Sequence, residues 1–220
     1  MINILYEDGS ILVCVKPSGT LSEMCDKENS LPRIICAERG LDTLFPVHRL
    51  DREVCGVILY AKTTEAAKRL SADVAERKIK KEYIAIVEGK PEKESDTLVD
   101  LLFKDSSKNK SYVVKRERKG VKKASLYYET LASNGDSTLV RIELHTGRTH
   151  QIRVQFSSRA HAVLGDKKYG STVKDNAIAL CSHKLTFNHP KTKKELTFSH
   201  TPDPVGLWDT YEKVIGKSEE

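Results

Sequence analysis

Alternating apolar and polar residues recur along this chain and predict that strands make up most of its regular structure. Ile2 to Tyr6 and Ile11 to Lys16 predict two short strands around a turn at Asp8-Gly9. The run from Val57 to Ala61 is apolar throughout, which is typical of a buried strand. Further strands are predicted in the segments KKEYIAIVEGK, TLVDLLF, SYVVK, ASLYYETLA, STLVRIEL, AIALCSHKLTF and ELTFSH.

Helical patterns are confined to a few stretches. A short helix is predicted near Leu31 to Glu38, and DPVGLWDTYEKVI, with proline at an early helical position, predicts a C-terminal helix. TTEAAKRLSADVAERK predicts a helix capped by Thr63 or Thr64, and THQIRVQFSSRA one capped by Thr149. The apolar residues expected to face the core are Ala67, Leu70, Val74 and Ala75 in the first of these two, and Ile152, Val154 and Phe156 in the second.

Strands outnumber helices, and turn signals such as Ser133-Asn134-Gly135-Asp136 suit antiparallel pairing. The sequence contains no internal repeat and no low-complexity linker. We therefore expect a single α+β domain over residues 1–220, built on a mixed, largely antiparallel sheet.

Composition narrows the class of protein. The chain is 39% hydrophobic and 31% charged, and no apolar stretch reaches the roughly 18 residues that span a bilayer. The N-terminal stretch lacks the features of a signal peptide. The five cysteines are odd in number and include no CxxC pair, which disfavours a disulfide framework or a thiolate zinc site. We expect a cytoplasmic protein with no membrane association.

The positive charge is clustered. The formal net charge is +6, with dense basic stretches in KIKKEY, VKRERKGVKK and HPKTKKE. Each stretch alone is compatible with an ordinary solvated surface. The three together favour a polyanionic partner, because neutralising phosphates releases counterions. Lys122 and Lys123, in the second stretch, are the lysines we assign to that contact.

Asp51 is the first candidate for chemistry. It follows His48, Arg49 and Leu50 and precedes the apolar strand, so it is a single carboxylate beside cations at the end of a rigid element. A carboxylate held in this way can serve as a nucleophile or a base. The alternative is a structural role, in which Asp51 caps a turn and pairs with Arg49 or Arg52.

The segment LHTGRTHQIRVQF is the second candidate. Gly147 permits a tight turn, and Arg148 beside the N–H groups of a helix start forms a natural phosphate site. Arg153 lies further along and could point towards a carboxylate such as Asp51. An ordinary surface helix with solvated arginines is the alternative, which two histidines and two arginines within nine residues weaken.

Two further residues have structural alternatives. Tyr83 lies in an alternating strand, where a tyrosine is more often part of a core; in a cleft it could stack on a nucleobase. Asp166 lies among turn-forming residues and is interpreted as part of a structural loop.

Cofactor motifs are missing from the sequence. Seven histidines are present, but no HExxH motif, Cys/His pair or carboxylate cluster has the spacing of metal ligands. No P-loop and no GxGxxG motif occurs. We expect chemistry without a metal ion, a nucleotide or a redox cofactor.

Several motifs in fixed order resemble those of the RluA-type pseudouridine synthases. They are VHRLDREVCGVILYAK, KKEYIAIVEG, TGRTHQIRVQF, HAVLGDKKYG, LCSHKLTFNHPKTKKELTF and the opening ILYEDGSILVCVKPSGTLS, and they cover nearly the whole chain. The chain departs from the family at Val54-Cys55, where a Thr-Ser pair is usual; we interpret this as repacking behind the site. The resemblance implies the pseudouridine synthase fold, with helices and loops around a central cleft.

The resemblance also implies a reaction, the isomerisation of uridine to pseudouridine within RNA. Asp51 matches the catalytic aspartate, which attacks the ribose or takes a proton from it. Arg153 matches the basic residue that pairs with this aspartate, and Tyr83 matches the tyrosine that stacks on the uracil and assists proton removal at C5. Arg49 matches a residue that fills the gap left by the flipped base. His48, Arg148 and His150 complete the expected RNA-binding residues, and the roles of His48 and His150 stay open between packing and catalysis.

A stem-loop uridine in rRNA or tRNA is the expected substrate, and a monomer the expected state. The predicted strand at Ile4 lies too near the N-terminus for an S4-type RNA-binding domain, so we expect a catalytic domain alone. The alternative function is a non-catalytic RNA-binding or RNA-folding module of the same fold, which would not need Asp51, Tyr83 and Arg153 together. A glycoside hydrolase is disfavoured, because it usually needs two carboxyl groups across the scissile bond.

Overall fold

The predicted strands and most of the predicted helices are present in the computed structural model, which describes residues 1–173, 175 and 177–215. In chain order the elements are β1 (Ile4–Glu7), β2 (Ile11–Lys16), α1 (Leu31–Arg39), β3 (Phe45–Pro46), β4 (Cys55–Ala61), α2 (Thr64–Ala75), β5 (Lys80–Glu88), β6 (Ser95–Asp105), β7 (Lys110–Val114), β8 (Val121–Ser133), β9 (Ser137–Leu144), α3 (Gln151–Ser157), β10 (Leu180–Asn188), β11 (Glu195–Ser199) and α4 (Glu212–Ile215).

The chain forms two units. The first comprises Met1–Lys81 and Cys181–Pro202, and the second comprises Glu82–Leu180 and Asp203–Glu220. The expectation of a single domain stays a prediction, because two parts of one domain and two independent domains would both give this division.

The first unit contains a mixed sheet with the strand order β1-β2-β4-β10, extended by β11 on β10 and by β3 on β4. All of these pairs are antiparallel except β4 with β10, which is parallel. Val13, Val57 and Leu59 from the strands pack with Leu70 of α2 and Phe187 of β10 in a fully or almost fully buried cluster. The continuous apolar run of β4 is therefore buried, as its sequence predicted.

Helix α2 begins at a side-chain cap and packs through a narrower face than predicted. The Thr63 Oγ accepts a hydrogen bond from the Ala66 N–H at 3.2 Å, which confirms Thr63 as the cap. Ala66, Leu70 and Asp73 are the buried residues. The prediction that Ala75 faces the core is wrong, since the i, i+4, i+7 spacing of the buried residues leaves it on the exposed side.

The second unit contains antiparallel pairs in the order β5-β9-β8-β6-β7. The predicted turn at residues 133–136 joins β8 to β9, and α3 packs against β6 and β7. Ile152, Val154 and Phe156 of α3 are buried as predicted, and the Phe156 ring meets the Tyr128 ring edge-on at 5.3 Å between centroids. The α+β class with a mixed, largely antiparallel sheet is confirmed.

Two helix predictions need correction. Helix α3 begins after His150, not at Thr149, and His150 has a left-handed backbone (φ 53°) with no side-chain cap. In the C-terminal segment, Gly206–Tyr211 is a 3-10 helix and only Glu212–Ile215 is α-helical. Trp208 and Tyr211 are both buried, and the three-residue period of a 3-10 helix places them on the same side.

Within the part of the chain that the structure describes, no helix is long and apolar enough to cross a membrane.

Candidate active site

Asp51 lies in a turn between β3 and β4 in the first unit, and the backbone before it is held by a serine. The Ser22 Oγ accepts a hydrogen bond from the Leu50 N–H at 3.0 Å and donates one to the Leu50 carbonyl at 2.8 Å. The turn itself is closed by a hydrogen bond from the Val54 N–H to the Asp51 carbonyl at 3.1 Å. Asp51 is half-buried, so part of it stays open to solvent.

Lys16 supports the other side of this turn. It is fully buried at the end of β2, and its Nζ donates to the carbonyls of Arg52 and Pro17, each at 2.9 Å. Burial lowers the pKa of Lys16 to about 8, against the opposing effect of Cys55, Glu53 and Asp51. The Lys16 ammonium therefore interacts electrostatically with Asp51.

The arginines beside Asp51 have glutamate partners. Arg49 pairs with Glu23 at 2.8 Å, with both side chains more than half exposed, and Arg52 pairs with Glu53 at 2.9 Å. Exposed pairs of this kind contribute little stability, so the Arg49 guanidinium can exchange its partner for another anion at little cost.

His48 has a packing environment. It is buried, and its Nε2 accepts a hydrogen bond from the Leu59 N–H at 3.2 Å. Burial, assisted by the nearby Lys81 ammonium, lowers the pKa of His48 to about 3. The imidazole is therefore neutral at physiological pH, and between packing and catalysis this placement of His48 favours packing.

Arg153 lies on α3 in the second unit, where it forms a buried ion pair with Asp166. Its Nε donates to Asp166 Oδ2 at 2.6 Å and its Nη2 donates to Oδ1 at 2.9 Å. Both side chains are almost fully buried. The guanidinium also lies 5.2 Å from the centroid of the Tyr169 ring. Asp166 thus lies in a structural loop, as interpreted from the sequence. Its carboxylate is there a buried counterion of Arg153, a candidate catalytic residue.

His150 belongs to a buried network around Tyr169. The His150 Nδ1 and the Tyr169 hydroxyl are 2.9 Å apart, and that hydroxyl accepts a hydrogen bond from the Ser111 N–H at 2.8 Å. The two rings meet edge to face at 5.6 Å. This placement favours packing for His150, whose assignment to RNA binding stays a prediction.

The remaining residues predicted for the site lie on other elements of the second unit. Tyr83 is on β5, opposite Ile142 of β9, and is 5% exposed. Arg148 is half-buried, with its Nε donating to the Lys123 carbonyl at 3.1 Å. Its backbone N–H already donates to the Gln151 side chain at 3.0 Å. A phosphate bound here would therefore be held by the Arg148 guanidinium and not by this N–H. Lys122 and Lys123 are exposed on β8.

Within each unit the structure gathers part of the predicted set. His48, Arg49 and Asp51 share one segment of the first unit, and Arg148, His150 and Arg153 share one segment of the second. Sequence reasoning missed the supporting residues Ser22 and Lys16. A lysine that ends an apolar strand is a signal for such a buried cation, whereas nothing local marks Ser22.

Among residues 1–173, 175 and 177–215, no group of three or more His, Cys, Asp or Glu side chains could hold a metal ion.

Comparison with known proteins identifies the relatives of the chain. A family model described as RNA pseudouridylate synthase matches residues 10–158. Ribosomal large subunit pseudouridine synthase C of Buchnera aphidicola subsp. Acyrthosiphon pisum is 34% identical over 204 residues, which is 88% of this chain and 65% of the relative. An uncharacterized RNA pseudouridine synthase of Aquifex aeolicus is 32% identical over 240 residues, covering 100% of this chain and 73% of the relative.

A solved structure has the same fold. Human RNA Pseudouridylate Synthase Domain Containing 4 superimposes with a TM-score of 0.75 at 24% identity, covering 91% of this chain and 89% of that one.

Proposed function

The chain belongs to the RNA pseudouridylate synthase family, whose RluA-type members its motifs resemble, and we propose that it isomerises one or more uridines in structured RNA to pseudouridine. The observation that carries the proposal is the Asp51 turn. Ser22 and Lys16 fix its backbone, and the Lys16 ammonium acts electrostatically on Asp51. A reaction that uses a carboxylate needs that carboxylate ionised and held in one position.

In the proposed reaction the N1–C1′ glycosidic bond of uridine breaks, the uracil turns, and a bond forms between C5 and C1′. The hydrogen at C5 is lost and N1 gains one, so the isomerisation is redox-neutral. Asp51 acts at the ribose, either as nucleophile or as base. Tyr83 stacks on the uracil and assists removal of the C5 proton, and Arg153 pairs with the aspartate, as the family motifs imply.

Access to the glycosidic bond requires the target nucleotide to leave its stack. Arg49 is proposed to fill the resulting gap, and its exposed pair with Glu23 leaves the guanidinium available for this. Lys122 and Lys123 are exposed on β8 and would contact phosphates. Arg118 lies over the Phe103 ring at 4.8 Å, and it adds a further cation beside the paired strands β6 and β8.

A stem-loop in rRNA is the first substrate to test, and tRNA the second. The Buchnera relative is named for the large ribosomal subunit, and this chain spans about two thirds of its length. We propose a monomer that acts in the cytoplasm on RNA, without a metal ion or nucleotide cofactor.

A non-catalytic RNA-binding module is the alternative. The exposed lysines on β8 would serve it equally well. The half-buried Asp51, on a turn whose backbone is held by hydrogen bonds, favours the enzyme. A negatively charged carboxylate would not strengthen the binding of RNA, so a module that only binds RNA has no use for it.

Tritium release from RNA labelled at uracil C5 tests the proposal, with rRNA and bulk tRNA assayed separately and without added metal or nucleotide. Wild type should release tritium, and Asp51→Asn should release none while its affinity for RNA stays within a few fold. Asp42→Asn, which changes an exposed carboxylate outside the site, is the matched control and should keep wild-type turnover. Turnover by Asp51→Asn would contradict the catalytic assignment, and binding without release by wild type would favour the RNA-binding module.

A further inference from the structure

Cys55 and Cys181 are neighbours across two strands at the point where β4 leaves the Asp51 turn. β4 and β10 are parallel there, with Cys55 opposite Cys181 and Gly56 opposite Ser182. A hydrogen bond joins the two thiols. Cys181 is fully buried and Cys55 is half-buried, so the pair has one sulfur that a reagent can approach and one that lies behind it.

The backbone geometry suits a bond between the sulfurs. Adjacent strands lie about 4.7–4.9 Å apart, and a disulfide needs Cα atoms about 4.4–6.8 Å apart. The strands also approach closely at the next position, where Gly56 has φ 110° and an added Cβ would lie 2.7 Å from the Ser182 nitrogen. Opposite residues in register place their side chains on the same face of the sheet, so the two sulfurs can meet without a change in pairing.

The two thiols differ in character. The hydrogen bond with Cys55 and burial both raise the pKa of Cys181, so Cys181 keeps its proton and donates it to the Cys55 sulfur. The Lys16 ammonium interacts electrostatically with Cys55. The thiolate is the reactive form of cysteine, and the half-buried Cys55 is the sulfur that a reagent can reach. By contrast, burial and the Asp42 carboxylate raise the pKa of Cys36.

We propose that Cys55 and Cys181 form a thiol-modification site at which a low-molecular-weight disulfide produces an intramolecular disulfide. The Cys55 thiolate attacks one sulfur of the reagent, whose S–S bond breaks and releases one thiol after protonation. Cys181 then loses its proton and attacks the Cys55 sulfur, which releases the second thiol. The two cysteines lose two electrons and two protons, and the reagent is reduced to two thiols.

The new bond changes the Asp51 turn. Its length of about 2.05 Å is shorter than a hydrogen bond between sulfurs, so Cys55 is drawn towards β10. Cys55 directly follows Val54, whose N–H closes the turn on the Asp51 carbonyl. The loss of activity expected from this movement depends on the proposed function, whereas formation of the disulfide does not.

The test begins with the reduced full-length chain, which is treated with oxidised glutathione and digested without reductant. The expected product is a Cys55–Cys181 linked peptide, lighter than its two reduced peptides together by two hydrogen atoms and absent after dithiothreitol. Amide hydrogen exchange in the peptide spanning residues 50–56 should quicken in the oxidised form, because the hydrogen bond that closes the turn is disturbed. Glutathione attached to Cys25 or Cys36, with Cys55 and Cys181 still reduced, would overturn the proposal.

Matched variants separate the site from the other cysteines. Cys55→Ser should give no linked peptide and should keep its activity in the oxidant, while the double variant Cys25→Ser/Cys36→Ser should form the linked peptide as wild type does. In the tritium assay, the turnover of oxidised wild type should fall by more than about tenfold and should return on reduction. Unchanged turnover and unchanged exchange in the linked protein would refute the effect on the turn. A linked peptide from a chain that never releases tritium would refute the proposed function and leave the modification site standing.

Discussion

The Ser22 hydroxyl satisfies both backbone polar groups of Leu50, since it accepts from the N–H at 3.0 Å and donates to the carbonyl at 2.8 Å. Ser22 is 3% exposed and is fixed in turn by the Tyr60 hydroxyl, which donates to the Ser22 carbonyl at 3.0 Å. A residue next to the candidate catalytic aspartate is therefore held in place by a buried side chain that comes from 28 positions earlier in the chain.

Replacing Ser22 by alanine should loosen this turn. The Leu50 N–H and carbonyl would be left buried without their partner, which costs about 1–3 kcal/mol for each such group. We expect a lower urea midpoint and a loss of more than about tenfold in tritium release, with RNA affinity close to wild type, because the effect lies in positioning. Ser18→Ala, which removes an exposed hydroxyl bonded to the Glu53 carbonyl, is the control and should change both readouts little. Wild-type turnover in Ser22→Ala would show that the position of Asp51 does not depend on the hydrogen bonds between Ser22 and Leu50.

Reversing the charge at Lys122 and Lys123 should weaken RNA binding in a salt-dependent way. Both lysines are exposed, and each phosphate contact that is lost removes about 0.7–0.9 from the slope of log affinity against log salt. The measurement is the affinity of Lys122→Glu/Lys123→Glu for the substrate RNA over a salt series. Lys68→Glu/Lys213→Glu makes the same change in net charge at two other exposed positions, so it separates a local contact from the overall charge. Equal affinities for the two double variants at low salt would show that Lys122 and Lys123 do not contact the RNA.

The parts of the fold that sequence predicted best depend on neighbouring residues. The apolar run of β4 and the Thr63 cap of α2 are set by residues within a few positions of one another, so local patterns suffice to predict them. The strand pairs in the second unit follow the same alternation, and the turn at residues 133–136 fixes one of their connections.

The missed features depend on distant residues. Ser22 reaches Leu50 across 28 positions and Lys16 reaches Arg52 across 36, and no local pattern encodes either contact. The left-handed backbone at His150 accompanies the bond of its ring to Tyr169, which lies 19 positions later and overrides the capping preference of Thr149. Asp51 itself is a candidate from the sequence because its motif is contiguous.

His48 should make the stability of the protein depend on pH. Its pKa is lowered from 6.5 to about 3 on folding, so as the pH falls below 6.5 the unfolded chain takes up a proton that the folded chain does not. The stability present above pH 6.5 is therefore lost progressively towards pH 3, at about 1.4 kcal/mol per pH unit. We expect urea midpoints of wild type to fall between pH 6.5 and 5 more steeply than those of His48→Gln, which cannot take up this proton.

His145→Gln removes an exposed imidazole and serves as the control for this comparison. Its unfolding midpoints should follow the pH dependence of wild type. A His48→Gln variant with the same pH slope as wild type would show that the neutral, buried imidazole is not the source of the dependence.

Asp166→Asn should destabilise the second unit more than any change to an exposed ion pair. Arg153 and Asp166 form two hydrogen bonds with both side chains almost fully buried, so removing the carboxylate charge breaks a buried ion pair. Breaking a buried pair in this way costs about 3–5 kcal/mol. Asp96→Asn is the matched control, because Asp96 pairs with Lys93 at 2.9 Å on an exposed surface, where a pair contributes about 0–1 kcal/mol. Unfolding in urea measures both variants, and similar midpoints for the two would mean that Arg153 does not need Asp166. If Asp166→Asn remains folded, its tritium release should fall while its RNA affinity stays near that of wild type, because Arg153 would lose the contact that orients it.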